Sequence, residues 1–185
     1  MSKTYKPINA CSLIMASIRP GGCYRKPKRP YTRVSKFKGK SYVKGVPGSK
    51  IQQFETGDRK GEFDLTIHIV SRQEIQLRHN CLEAFRVSTN QQLIKRLGMK
   101  NYHLKVKVYP HQVMRHNPTA NFAGADRFSD GMKHCFGKPL GRAAVVSKEQ
   151  KIFFVRANED DLKDVKKAIK IGLQKLPGDY RLLIE

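Results

Sequence analysis

The first fifty residues contain 13 Lys or Arg and no Asp or Glu, and that imbalance limits what this part of the chain can become. Like charges without counter-charges repel one another. The same segment is punctuated by Pro20, Gly21, Gly22, Pro27, Pro30, Gly39, Gly45, Pro47 and Gly48, so it has few ways to build a core of its own. It reads as an arm that a partner orders. The imbalance fades along the chain: residues 51–148 carry 16 basic and 8 acidic side chains, and residues 149–185 carry 8 and 7. The whole chain of 185 residues has a formal net charge of +22, and a polyanion is the partner that supplies the missing counter-charge. With 39% apolar residues, one packed domain is still affordable. The expected organisation is a basic arm over residues 1–50 and a single domain over residues 51–185, with a flexible loop inserted at about 110–140.

Within the arm, Tyr5, Tyr24, Tyr31, Phe37 and Tyr42 alternate with Arg19, Arg25, Lys26, Lys28, Arg29, Arg33, Lys36, Lys38, Lys40 and Lys44. Cations neutralise phosphates and rings stack on unpaired bases, a combination that suits folded RNA better than a regular duplex. Those ten cations are the candidate RNA contacts of the arm. The run from Ile8 to Ile18 imitates the apolar part of a signal peptide, but Asn9, Ser12 and Ser17 interrupt it and a dense basic block follows. No export or membrane span is expected, and the protein is expected in the cytoplasm. Cys11, Cys23, Cys81 and Cys135 are scattered without a Cys-x-x-Cys pair, the pattern of reduced thiols and not of a zinc or redox site.

Beyond Gly48 regular structure is expected. Lys50 to Phe54 is a short strand candidate, and Phe63, Leu65, Ile67 and Ile69 alternate with polar residues as in a half-buried strand. Glu74 to Leu97 is free of Gly and Pro and reads as a long helix ended by Gly98, with Leu77, Cys81, Ala84, Phe85, Leu93, Ile94 and Leu97 as its apolar face. From Tyr102 to Tyr109, Leu104, Val106 and Val108 face one way and His103, Lys105 and Lys107 the other, giving a strand with a cationic side. Gly141–Ser147 and Ile152–Arg156 read as a hairpin. Asn158 then caps a helix in which Leu162, Val165, Ala168, Ile169, Gly172, Leu173 and Leu176 share one face. Tyr180 to Ile184 is a closing strand. The expected class is α+β, with two helices packed on a mainly antiparallel sheet.

Pro110 to Leu140 shows little periodicity, and insertions of that length in a compact domain are usually functional. Arg115, His116, Arg127, Lys133, His134 and Lys138 lie there among Gly124, Gly131 and Gly137, as a mobile loop able to probe a nucleic-acid surface. Catalytic signatures are weak. Gly131 to Pro139 resembles a phosphate-binding loop, but its glycine spacing is one residue too long and Pro139 stands where a magnesium-binding hydroxyl belongs. His79 near Cys81, His134 beside Cys135, and Asp126 with His116 lack an orienting acid or oxyanion element. No cofactor and no metal site are expected.

Five stretches carry a family resemblance: Arg19-Pro-Gly-Gly-Cys-Tyr-Arg25, Gly45-Val-Pro-Gly-Ser-Lys-Ile51, His103-Leu-Lys-Val-Lys-Val-Tyr-Pro-His111, Ala123-Gly-Ala-Asp-Arg127 and Phe136-Gly-Lys-Pro139. In these the chain closely resembles the archaeal and eukaryotic (L-ten-e) branch of the large-subunit ribosomal protein sixteen family, from about Arg19 onward. Residues 1–18 match nothing in the family core, and the short form looks archaeal. The resemblance implies a hammerhead-type α+β fold bound to large-subunit ribosomal RNA near the central protuberance and the 5S RNA. It also implies neighbouring ribosomal proteins, a position beside A-site transfer RNA near the peptidyl transferase region, and no self-association. Arg25, Lys28, Lys105 and Lys107 would then contact ribosomal RNA, while the loop from His111 to Phe136, with Arg115 and Arg127, would point towards transfer RNA. The alternatives are an RNA-modifying enzyme, a transient RNA-binding assembly factor or an architectural DNA-binding protein.

Overall fold

The computed structural model describes residues 18–27, 37–41, 43, 45–117 and 135–185. Its strands are β1 (Glu55–Gly57), β2 (Leu65–Ser71), β3 (Ile75–Arg78), β4 (Tyr102–Val106), β5 (Gln112–His116), β6 (Lys138–Val146), β7 (Lys151–Ala157) and β8 (Tyr180–Ile184), with helices α1 (His79–Leu97) and α2 (Leu162–Leu173). The strands form two sheets. One is five-stranded in the order β1-β4-β7-β2-β8 and the other three-stranded in the order β3-β6-β5, and every pairing is antiparallel. The α+β expectation holds.

Alternation fixes the faces of the larger sheet. Ile67, Ile69, Phe153 and Val155 are buried on the side covered by the helices, where Phe85 of α1 stacks on Phe153 with ring centroids 4.1 Å apart. The helices pack on each other at Gly172, where a side chain would meet Thr89 Oγ1 at 2.1 Å and the Phe85 ring at 2.9 Å. Only glycine admits so close an approach. Val165, Ala168, Ile169 and Gly172 are the buried stripe of α2, as their spacing predicts. Asn158 does not cap with its side chain; its carbonyl accepts the Asp161 amide at 3.3 Å, and a 3₁₀ turn over Glu159–Asp161 leads into the helix.

Three expectations are corrected. The helix expected from Glu74 begins at His79, because Ile75 and Leu77 alternate with Gln76 and Arg78 as a strand paired to Val146 through Ala143. The α1 stripe is accordingly Leu82, Phe85, Thr89 and Leu93, while Ala84 and Ile94 are exposed. The expected hairpin of residues 141–156 is a crossover: β6 lies in the small sheet and β7 at the centre of the large one. The turn between them reverses through Glu149 at φ 65°. Alternation alone does not distinguish partners from successive strands of different sheets. The strand expected at Lys50–Phe54 forms instead at Glu55–Gly57, although Ile51 enters the core.

The β2–β3 connection crosses between the sheets beside the β6–β7 turn. The Ser71 amide donates to the Gln150 carbonyl at 3.1 Å and the Glu149 amide to the Ser71 carbonyl at 2.8 Å, so the two crossings are bonded together. Part of the expected loop is ordered strand, since β5 pairs with β6 from Gln112↔Ala143 to His116↔Lys138. No helix among the described residues is long and apolar enough to cross a membrane.

Candidate nucleic-acid interface

The described parts of the basic arm are fastened to the small sheet through backbone groups. Pro20 opens a 3₁₀ turn over Gly21–Tyr24. The Arg25 carbonyl then accepts the Gln76 amide at 2.8 Å, extending the outer edge of β3. Arg78 Nη1 donates to the Arg19 carbonyl at 2.8 Å, and Tyr24 Oη donates to the Arg115 carbonyl at 3.2 Å on the far strand, β5. A second attachment follows at residues 43–51: Val43 and Ile51 are buried, Arg142 Nε donates to the Pro47 carbonyl at 2.7 Å, and the Lys50 amide donates to His79 Nδ1 at 2.9 Å. Body arginines are spent on arm carbonyls, so the arm keeps its own cations. Arg19, Arg25, Lys26 and Lys40 are exposed, none of them in an ion pair with a described acid, and Lys40 Nζ lies 5.4 Å from the Phe37 ring centre.

Of the other arm candidates, Lys28, Arg29, Arg33, Lys36 and Lys44, and the side chain of Lys38, lie outside the described residues. Two cations not singled out from the sequence join Arg25. Arg78 and Lys175 line with it a cleft of about 250 Å³ that no carboxylate lines among the described residues.

A second cationic surface is the face of the large sheet turned away from the helices. Because Phe153 faces α1, Phe154 faces outward, only 7% exposed. Lys107 Nζ and the Arg156 guanidinium lie 5.4 and 5.2 Å from its ring centre. His68 and His103 meet the same ring edge-on, at 6.0 and 5.5 Å. Burial, more than the neighbouring cations, holds both imidazoles below the ordinary histidine pKa. The two sequence candidates on this face differ. Lys107 is exposed, whereas Lys105 Nζ is 2.6 Å from Glu55 Oε1, and Arg59 Nε lies 2.9 Å from Oε2 of the same carboxylate. That hydrogen bond to Lys105 holds the Glu55 carboxyl below its usual range, so the charge of Lys105 is already matched.

Arg115 was expected to project from the loop. Instead its guanidinium lies 3.6 Å from the Phe136 ring centre and Nη1 donates to the Phe136 carbonyl at 2.6 Å, closing the loop's base. Gly137, at φ 78°, sits so near the His116 carbonyl carbon that a side chain would meet it at 2.9 Å. His116 is half-buried, which pushes its pKa down, and Lys138 is exposed at the start of β6. Arg127, Lys133, His134 and Asp126 lie outside the described residues.

His79 does not activate Cys81. Its Nδ1 receives the Lys50 amide, and its Nε2 is pressed against Gly141, where a side chain would stand 2.9 Å away. Burial lowers its pKa, as expected of an imidazole serving as a packing and hydrogen-bonding element. Cys23, Cys81 and Cys135 are free thiols, and no group of His, Cys, Asp and Glu among the described residues could hold a metal ion.

The structure thus brings Arg19, Arg25 and Lys26 to one edge of the small sheet and places Lys105 and Lys107 on a different surface. Arg78, Lys175, Arg142 and Arg156 are not among the RNA-contact candidates read from the sequence, although helical spacing turns Arg78 and Lys175 away from the apolar faces and Arg156 is the outward position of an alternating strand.

Residues 26–183 match the model of the family described as ribosomal protein L16p/L10e. The proteins named large ribosomal subunit protein uL16 from Methanosphaerula palustris and Methanospirillum hungatei are 44% and 43% identical over 168 residues, covering 90% of this chain and 94% and 95% of theirs. The one from Hyperthermus butylicus is 40% identical over 172 residues, covering 90% of this chain and 92% of its own. A basic arm seated on a paired-sheet core, matched across nearly all of its length by such relatives, is the mark of common descent: the chain belongs to the ribosomal protein L16p/L10e family.

Proposed function

We propose that this protein is a structural constituent of the large ribosomal subunit that binds large-subunit ribosomal RNA and catalyses no reaction itself. The observation that supports the reading best is the arm's mode of attachment. Its carbonyls are bonded to Arg78, Arg142 and Gln76, while Arg19, Arg25 and Lys26 are exposed without acidic partners among the described residues. A backbone fastened at Arg19 and Arg25 holds these cations in register for a phosphate surface, which lowers the cost of ordering them on binding.

In the finer reading, residues 1–50 are the RNA-binding arm and residues 51–185 one domain. Arg19, Arg25, Lys26, Lys28, Arg29, Arg33, Lys36, Lys38, Lys40, Lys44 and Lys107 neutralise phosphates, with Lys105 contributing less because Glu55 already pairs with it. The protein lies near the central protuberance and the 5S RNA. The loop rooted at Arg115, His116 and Lys138, and carrying Arg127 and Lys133, approaches A-site transfer RNA. Peptide-bond formation belongs to RNA, and the protein biases where transfer RNA rests.

Sedimentation of cell extract through a sucrose gradient at high salt tests the reading. Near-stoichiometric protein in the large-subunit peak is the expected result. Release to the top of the gradient from otherwise intact subunits would replace it with a transient assembly factor or an RNA-modifying enzyme.

A further inference from the structure

We propose that the cleft between residues 21–25 and the C-terminal end of α2 takes up one unpaired ribonucleotide, its phosphate on Arg25, Arg78 and Lys175 and its base edge on the Gln76 carboxamide. The assignment rests on the RNA-binding function above and names a site within it. Among the described residues the cleft, about 250 Å³, presents three cations and no carboxylate, with Cys81, Leu176 and Pro177 as apolar wall. Gln76, one of its lining residues, is only 5% exposed, and its Oε1 is buried without a hydrogen-bond partner among the described residues. A buried amide left in that state is unfavourable in the free protein and is satisfied by what enters the cleft.

The chemistry of Gln76 narrows the ligand. A phosphodiester offers only acceptors, so it suits the cations but cannot donate to a carbonyl oxygen. A nucleobase edge carries donor and acceptor side by side, the complement of a carboxamide in either orientation. The ligand therefore combines an anion with a base edge. A base inside a helix is stacked and paired, and an opening of this size admits a single nucleotide, so the occupant is extruded from its strand.

The arm makes the site. The Gln76 amide bonded to the Arg25 carbonyl and Arg78 bonded to the Arg19 carbonyl form one wall. A side chain at Gly21 would come within 3.1 Å of Arg78 Nη2. The cleft is complete only when the arm is seated.

The test uses large subunits from cells in which the sole copy is wild type, Gln76→Met, or Lys175→Ala. Each preparation is treated with dimethyl sulfate and with a carbodiimide, and modification is read at every nucleotide. Lys175→Ala changes an exposed side chain that bonds to no described residue, and keeps the test open if Gln76→Met disturbs folding. The expected result is a rise of about fivefold or more at one and the same nucleotide in both variants, the effect of losing a base-edge contact. An unchanged pattern in fully occupied subunits overturns the proposal. So does a Lys175→Ala subunit that loses the protein at lower salt while every base stays as protected as in wild type, since that describes a backbone contact alone. Absence of the wild-type protein from the high-salt peak is seen before any probing; it refutes the reading as a structural constituent of the subunit, and with it a nucleotide held in this cleft within the assembled subunit.

Discussion

Replacing Gly172 by Ala should destabilise the protein even though alanine is the better helix former. The added Cβ would stand 2.1 Å from Thr89 Oγ1 and 2.9 and 3.0 Å from two carbons of the Phe85 ring. Neither neighbour can retreat easily: both are fully buried, and Phe85 is stacked on Phe153 of the central strand. Forcing a methyl into a well-packed core costs about 1–3 kcal/mol, and contact this short belongs at the upper end of that range. Helix propensity returns about 1 kcal/mol. The net loss is about 1–2 kcal/mol, or a melting temperature lower by roughly 2–8 °C for a chain of this size. Circular dichroism melts of the isolated wild-type protein, Gly172→Ala, Thr89→Ala and the double variant close a thermodynamic cycle. Removing Oγ1 should recover at least half of the loss, because the shorter of the two clashes disappears. A Gly172→Ala protein melting at or above the wild-type temperature would show that α1 and α2 separate freely, and would refute the close packing on which the estimate depends.

Replacing Arg25, Lys28 and Arg29 together by Ala should reduce the slope of log binding constant against log salt by about two to three; an unchanged slope removes the arm from the binding surface. Arg115→Lys keeps the charge but loses the planar stack on Phe136. Subunits carrying it should assemble at full occupancy yet bind A-site transfer RNA about threefold to tenfold more weakly, and normal binding in filter assays contradicts the loop's role. His79 and His103 have folded pKa values depressed by burial, so the fold holds their neutral forms. Below about pH 6.5 the unfolded chain binds more protons, and stability is lost as the pH falls from there towards the folded values. Melting temperatures should drop between about pH 7.5 and 5.5, and His103→Phe should shrink the drop; an identical drop in both proteins excludes His103 as a contributor.

Legibility in the sequence followed the range of the interactions. The α2 stripe was readable because Leu162, Val165, Ala168 and Ile169 repeat within one helix, and β8 because Tyr180–Ile184 is a bounded apolar run. The start of α1 was not, since four strand residues, Ile75–Arg78, join the helix without a Gly or Pro to mark the change. The hairpin expectation failed because partner choice is decided by tertiary packing. For the site, the arm's charge was plain in the composition. The cleft was hidden because it gathers Arg25, Gln76 and Lys175 from segments far apart in sequence, and because the arginines that fasten the arm, Arg78 and Arg142, lie inside strands where their spacing suggests only solvent exposure.

The strand order of the large sheet also sets a timetable for synthesis. β2 lies between β7 and β8, so residues 65–71 find their first sheet partner only when residue 151 and its successors have been made. At about 5–20 residues per second, a delay of about 80–90 residues holds that strand unpaired for roughly 4–18 s, while the cationic arm has already been made. A nascent chain of this kind offers its most charged segment to polyanions well before it has a finished core. The strand order alone therefore separates in time the exposure of the arm's charge from the closing of the large sheet.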